Sequence, residues 1–349
     1  MAIEKNFKRI YREDSWKRAD HEAVRKTVGW YFYTHQILEV TGEDATAFLE
    51  YMYPKNIGNL AIGRARYTPM LNDKAIVRDD VVVFRLEENK YWISTLYAIR
   101  TIPWFEKHKG DYKVNVEELT KQWIMYSVQG PRSKDMINDL VAESVDGQKF
   151  FEIRDNKIGD IDVKINRGGF TGEEWGFEVY TKKENRAAIE EKLAASAEKF
   201  DGRRVTEFQV MVLTLPTEKG YMLMADLEQC TPYSVPGFFS KGINFDKEFV
   251  GKEALLKVKE EGPSHELVGF ILEDDDANIW SRDKTGEGAE VCLPDGEHIG
   301  YVSRFTYSYN LEKSIGFMWL ESGRVAKGDT VIINDIEPYK AEITDVVFF

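Results

Sequence analysis

The segment that most constrains this chain is Asn166-Arg-Gly-Gly-Phe-Thr-Gly-Glu-Glu-Trp-Gly-Phe-Glu-Val-Tyr180. Glycines and acids crowd a turn, and a single glutamate, Glu178, then falls inside an aromatic and β-branched run. A carboxylate in such a run is costly to bury unless hydrogen-bond donors reach its oxygens. An amino-pyrimidine ring meets that need, because it offers adjacent N–H donors to the two oxygens. The same pattern also fits a half-exposed strand with Glu178 facing water, the commoner arrangement for one acid.

At 349 residues the chain can build two or three domains with cores of their own. Its 17 Tyr, 20 Phe and 8 Trp suit a pocket for flat rings. The net charge of −13, with no Lys/Arg run to offset it, argues against nucleic acid or an anionic membrane as partner. Cys230 and Cys292 stand far apart, and the 5 histidines include no HxH or HxxxH pair, so no metal is expected. Residues 1–14 carry no apolar signal core. No stretch approaches ~18 continuous apolar residues, so a cytoplasmic protein is expected.

Periodicity outlines the organisation. Residues 37–41 read as a strand, and Gly42-Glu-Asp44 opens an amphipathic helix through Ala45, Phe48, Leu49 and Met52, with acids in its first turn. Val81–Leu86 and Tyr91–Ser94 flank a Glu-Glu-Asn-Lys turn, a hairpin signal. Met125–Gln129 is a further strand, closed by Gly130-Pro131 before a helix at 132–141, and 184–200 carries a helical apolar stripe. A break falls at Glu260–Ser264. Beyond it, short strands at regular spacing (266–272, 289–293, 298–303, 313–319, 330–333 and 341–347) read as a small antiparallel barrel or sandwich. The whole is α+β: residues 1–260 form a mixed region, in which two subdomains are expected, and 265–349 a β-rich module.

Tyr67-Thr-Pro-Met-Leu-Asn-Asp73 precedes Val77-Arg-Asp-Asp-Val-Val-Val83. Adjacent acids at a strand start put one side chain on each face. Asp79 shares the parity of Val81 and Val83, Asp80 that of Val82 and Phe84, and parity alone leaves open which acid turns inward.

Taken in order, these segments resemble the folate-dependent family typified by the glycine cleavage T-protein, which also includes tetrahydrofolate-dependent demethylases. Val28-Gly29 through Ala45 is similar to its opening strand and helix start, and Tyr67–Asn72 with Asp79-Asp80 to its central block. Gln129-Gly-Pro131 and Arg167–Val179 resemble the turns that follow. Glu218-Lys-Gly-Tyr221, Thr231-Pro232, Phe249–Leu255 and Gly296-Glu-His-Ile-Gly300 resemble its later segments. The resemblance covers nearly the whole chain in register. It implies a T-protein-like folate-binding region of mixed sheets with helices, closed by a C-terminal antiparallel barrel.

The resemblance also implies roles. Asp80, with Asp79 as the second choice, would be the acid beside folate N5 and the one-carbon donor. Glu178 would hold the amino-pyrimidine edge, Tyr67 would line the folate channel, and Arg167 would join them in cofactor binding. Tyr31, Tyr33, His35 and Arg304 are candidates for the donor pocket.

Departures from the family point to the donor. Leu215-Pro216-Thr217-Glu218 lacks the Arg common there, Lys74-Ala75 replaces a Gly-Gly, and Tyr31-Phe-Tyr-Thr-His35 loses an Asp. The acidic turn carries an extra residue in Glu173-Glu174-Trp175-Gly176. Ser303–Tyr309 replaces the usual barrel segment. The leading expectation is a demethylase that moves a methyl group from a small O-, S- or N-methyl donor to N5 of tetrahydrofolate. An aminomethyltransferase giving 5,10-methylene-tetrahydrofolate is the alternative. A non-catalytic folate-binding accessory protein ranks last, because the cysteine-centred motif of that branch is missing. A small-molecule donor is expected as partner, and a lipoyl carrier protein is not.

Overall fold

A computed structural model of the chain describes residues 15–33, 35–235, 239–273, 279, 288–335 and 337–349. Residues 1–14, read above for a signal segment, and Thr34 of the aromatic block lie outside the described residues.

Strand alternation organises the N-terminal region. One sheet runs β11-β1-β7-β10-β9-β8, built from β1 (Gly29–Tyr33), β7 (Trp123–Gln129), β8 (Ile153–Ile158), β9 (Ile161–Arg167), β10 (Gly176–Lys182) and β11 (Arg203–Arg204). The other runs β3-β4-β5-β2-β6, from β2 (Gln36–Thr41), β3 (Arg64–Leu71), β4 (Val77–Glu87), β5 (Lys90–Thr95) and β6 (Asn115–Glu118). Each sheet covers one face with helices. Val128, Ile165, Phe177 and Val179 pack under Met136 and Ile137 of α4 (Ser133–Leu140) and Ile189 and Leu193 of α5 (Arg186–Lys199). Leu38, Val40, Val81 and Val83 pack under Phe48 and Leu49 of α2 (Ala45–Met52) and Phe105 of α3 (Ala98–His108).

The opposite faces meet each other. Tyr33, Ile37, Val82, Phe84, Trp92, Met125 and Tyr180 from both sheets share one core. The order is therefore helices, sheet, sheet, helices, and side chains of the inner parity are enclosed between the sheets.

The acids expected inside the first turn of α2 precede it. Asp44 makes no cap bond and instead accepts the Lys113 backbone N–H at 2.8 Å.

Two turns are fixed by close approach. The buried carboxamide of Gln129 donates to the Gly168 carbonyl at 3.1 Å and accepts from the Thr171 hydroxyl at 3.1 Å. A Cβ on Gly169 or Gly176 would come within 2.1 or 2.2 Å of that carboxamide. These two glycines of the constraining segment are thus required by the side chain that ends β7. Gly251, at φ 84, caps α8 (Lys252–Glu261) where a Cβ would lie 2.4 Å from the Asn72 carbonyl. Beside it Ala75 holds φ 61, a conformation that costs a Cβ-bearing residue about 1–2 kcal/mol.

After Gly262 at φ 83, the C-terminal strands close into a barrel of order β12-β15-β14-β13-β16-β17. They are β12 (His265–Leu272), β13 (Glu290–Cys292), β14 (His298–Ser308), β15 (Lys313–Glu321), β16 (Thr330–Asn334) and β17 (Pro338–Thr344). β17 ends three residues before the expected Val347, and the chain after it packs back on the N-terminal region, with the Phe348 N–H donating to the Glu218 carbonyl at 3.1 Å.

The barrel is held to the N-terminal region through β14. Thr306 and Thr214 share a hydroxyl bond of 2.8 Å, and Ser308 donates to Glu218 at 2.5 Å. Ser303 donates to Asp226 at 2.5 Å, and buried Arg304 ion-pairs with the same carboxylate. Arg304 also donates to the Thr217 hydroxyl at 3.1 Å and the Tyr221 carbonyl at 3.0 Å. Removing one partner of a buried pair strands the other charge. Arg304→Leu should therefore lower the unfolding free energy by about 3–5 kcal/mol in urea titration, and Arg304→Leu with Asp226→Leu by less. A loss below about 1 kcal/mol for the single variant would show that the pair does not hold the barrel.

Candidate active site

Between the sheets, toward the barrel, the apolar core gives way to a cavity of about 630 Å³. Val82 and Phe84 of β4 belong to the inter-sheet core, so Asp80 shares their face and lines the cavity. On β10, Phe177 and Val179 face α4 and α5, so Glu178 and Tyr180 face the other way, and Glu178 lines the same cavity.

Glu178 is 2% exposed. Its Oε2 accepts from Asn166 Nδ2 at 2.9 Å and from the Tyr180 hydroxyl at 2.8 Å. Asn166 stands opposite it in the β9–β10 register. Burial raises the Glu178 carboxyl above the usual range, partly offset by these donors. Both donors reach one oxygen, which leaves Oε1 as the acceptor for an incoming N–H donor.

Asp80 is held by the Tyr67 hydroxyl, which donates to Oδ2 at 2.7 Å. Burial pushes the Asp80 carboxyl up to about 6 against that hydrogen bond. Asp79 faces away, into the core under α3. Its carboxylate accepts from Thr95 at 2.5 Å, Thr101 at 2.7 Å and the Asp80 N–H at 2.9 Å. Burial and then the charge of Asp80 push Asp79 up to about 7. Its acceptors are spent on the protein, so Asp79 leaves the catalytic pair expected for it.

The other candidates divide. Tyr33, His35 and Tyr67 line the cavity. Tyr33 stacks on Phe170 at 5.6 Å, and His35 packs against both rings at 4.6 and 5.0 Å. His35 Nδ1 is bonded to the Ser94 hydroxyl, and burial holds the ring down to about 3, so it is neutral at physiological pH.

Three candidates are corrected. Arg167 pairs with Phe177 in register, lies 3.7 Å over the Trp175 ring and donates to the Gln148 carbonyl, outside the cavity lining. Tyr31 packs beside Tyr33 at 6.2 Å without reaching the lining. Arg304 is consumed in the barrel pair behind the cavity. Each was placed by its sequence neighbourhood, whereas strand parity and a buried counter-ion decide where the side chain goes.

Sequence reasoning also passed over residues that shape the site. Tyr97 and Tyr221 line the cavity, and Asn166 orients Glu178. Asn166 had a legible signal, because it opens the same turn and an antiparallel hairpin sets it across from Glu178. No group of His, Cys, Asp or Glu able to hold a metal occurs among the described residues. None of their helices is long and apolar enough to cross a membrane.

Residues 5–233 match the GCVT N-terminal domain, and residues 265–349 match the glycine cleavage T-protein C-terminal barrel domain. The chain belongs to the glycine cleavage T-protein family. It is 30% identical over 345 residues to an aminomethyltransferase from Caldanaerobacter subterraneus, covering 95% of this chain and 87% of that one. Its fold matches the glycine cleavage system aminomethyltransferase T from Bartonella henselae with a TM-score of 0.83 at 21% identity, over 95% of this chain and 89% of that one. The family is one of tetrahydrofolate-dependent transferases, with tetrahydrofolate as the one-carbon acceptor. The residues present fit that group, since buried Glu178 keeps one acceptor oxygen for the pterin edge and aromatic side chains wall the space beside it.

A carboxyl whose folded pKa lies above its unfolded value of about 4 favours folding only while protonated. The contribution of Asp80 is full below about pH 4 and lost as pH rises through about 6. Asp80→Asn keeps an acceptor for Tyr67, so its urea stability should match the parent at pH 4 and exceed it at pH 8 by about 2–3 kcal/mol. Curves that stay parallel from pH 4 to 8 would show that burial does not raise this acid.

Proposed function

We propose that the chain transfers the methylene carbon of a small-molecule aminomethyl donor to N5 and N10 of tetrahydrofolate, giving 5,10-methylene-tetrahydrofolate. The bonds from that carbon to its amine and to the rest of the donor break, and ammonia and the protonated remainder of the donor leave. The observation that carries the reading is the pair of inward carboxylates, Asp80 and Glu178, lining one cavity in a member of this family. The named relative, an aminomethyltransferase, supports an aminomethyl donor over the methyl donor favoured from the sequence.

Bound tetrahydrofolate supplies the nucleophilic nitrogen, so the protein has no need of a covalent nucleophile of its own. Its work is positioning and electrostatics. Glu178, fixed by Asn166 and Tyr180, orients the pterin edge through Oε1. Asp80, oriented by Tyr67, faces the remaining space with one oxygen still available. An acid poised near 6 is largely ionised at neutral pH, so it can stabilise a developing cation on the donor or take a proton. Tyr33, Phe170 and neutral His35 exclude water beside these groups without adding charge.

Methyl transfer stays as a second reading because of one residue. Pro216 lines the cavity at the position where the family often carries an Arg, so a cationic contact to a polar donor is lost there.

Two substitutions and one product analysis test the proposal. Glu178→Gln should weaken tetrahydrofolate binding by about 1–3 kcal/mol in calorimetric titration. An unchanged dissociation constant would remove Glu178 from the site. Asp80→Asn should keep tetrahydrofolate affinity while lowering turnover at least tenfold, and full turnover would dismiss it as the catalytic acid. Mass analysis of the folate product separates the readings: 5,10-methylene supports aminomethyl transfer, and 5-methyl replaces it with demethylation.

A further inference from the structure

Three tyrosines of the inner sheet faces stand near the two cavity acids, and two of them are spent. Tyr67 donates to Asp80 and Tyr180 to Glu178. The third, Tyr33, lines the cavity, and its hydroxyl makes no hydrogen bond among the described residues. Nor is that hydroxyl sealed inside the protein, as the unpartnered hydroxyl of Tyr53 is, so it opens on the cavity. The ring itself is fixed. It stacks on Phe170 at 5.6 Å and meets His35 and Tyr31 edge-on at 4.6 and 6.2 Å. A phenylalanine would make the same three contacts without leaving a polar group short of a partner, so the hydroxyl calls for a partner from outside the protein.

Register places this residue beside the acids. Across β1, β7 and β10, Tyr33 shares a row with Met125 and Tyr180, and the neighbouring row on that face is Tyr31, Ser127 and Glu178. Burial, and then the charges of Asp80 and Glu178, raise the phenol well above its usual range, so it stays protonated and can donate. The folate reading supplies a group that needs such a donor. The adjacent N–H donors of the amino-pyrimidine are its 2-amino group and N3, and the reacting nitrogen is N5. Between N3 and N5 the ring carries the C4 carbonyl, whose oxygen only accepts. With Glu178 at the first edge and Asp80 beside N5, that oxygen would face two carboxylates with nothing to separate it from them. A neutral donor set among the three removes the conflict.

We propose that the Tyr33 hydroxyl donates to the C4 carbonyl oxygen of the pterin, so that Tyr33 selects the 4-oxo ring and holds N5 toward Asp80. The inference rests on the folate reading above, and it draws on a segment, Tyr31–His35, in which this chain departs from its family. Glu178 has one oxygen left for the pterin, and a single anchor lets a flat ring pivot in its plane. A second bond at C4 stops the pivot close to the reacting nitrogen, which is what alignment for transfer requires.

The test compares tetrahydrofolate with 4-amino-4-deoxytetrahydrofolate, in which an amino group replaces the C4 carbonyl, in anaerobic calorimetric titrations of the full chain. Tyr33→Phe should weaken tetrahydrofolate roughly tenfold, leave the 4-amino compound nearly unchanged and keep the melting temperature of the unliganded protein. Equal tetrahydrofolate affinity in the parent and Tyr33→Phe overturns the contact and leaves the hydroxyl to the one-carbon donor. An equal loss for both compounds, or a loss accompanied by a lower unliganded melting temperature, also overturns it, because Tyr33 would then be structural. If the parent binds neither compound, the folate reading itself fails, and the contact with it.

Discussion

Enclosure of Asp80 and Glu178 between two facing sheets is the constraint on which the rest of this molecule depends. A buried ionised carboxylate costs several kcal/mol unless donors meet it. The fold supplies those donors from within each strand system: Asn166 and Tyr180 for Glu178, Tyr67 for Asp80. In each case acceptor capacity is left over on the cavity side. Asp79 shows the contrast. It is fully buried and bonded by Thr95, Thr101 and a backbone N–H, and so it is spent on the core one residue away from the acid that lines the cavity.

The surrounding elements are tied together by contacts between segments distant in sequence. Gln129 fills the space that Gly169 and Gly176 leave open, which fixes the turn leading into Glu178. Gly251 meets the Asn72 carbonyl, joining the start of α8 to the end of β3. Polar residues of β14 grip Thr214, Thr217, Glu218 and Asp226, so the barrel is docked by hydrogen bonds as well as by the apolar contacts of Phe317 and Trp319 with Phe239 and Phe249. Glu218 further binds His21 and Arg25 of α1 (Ser15–Lys26), bringing the first described helix onto the same hub. Sequence blocks that looked independent are the two sides of single contacts.

Much of this was legible beforehand. The hairpin of β4 and β5, the strand–turn–helix around Gly130 and the six barrel strands follow from alternation, turn residues and apolar stripes, all of which act over a few residues. Glu178 stood out because a lone acid in an apolar run demands a donor. Arg304 and Arg167 misled because a free cation and a spent one look alike in a sequence. Their partners, Asp226 and the Trp175 ring, act through side-chain geometry that spacing does not encode.

The sequence by itself determined the elements, the α+β class, the closing barrel and the alternation that puts Asp79 and Asp80 on opposite faces of one strand. Only the tertiary structure decided which face is the cavity. Parity gives each strand two equivalent sides, and the choice between them is made when α2 and α3 cover one side and the β1 sheet covers the other. That packing event turned Asp80 toward Glu178 and buried Asp79 among threonines.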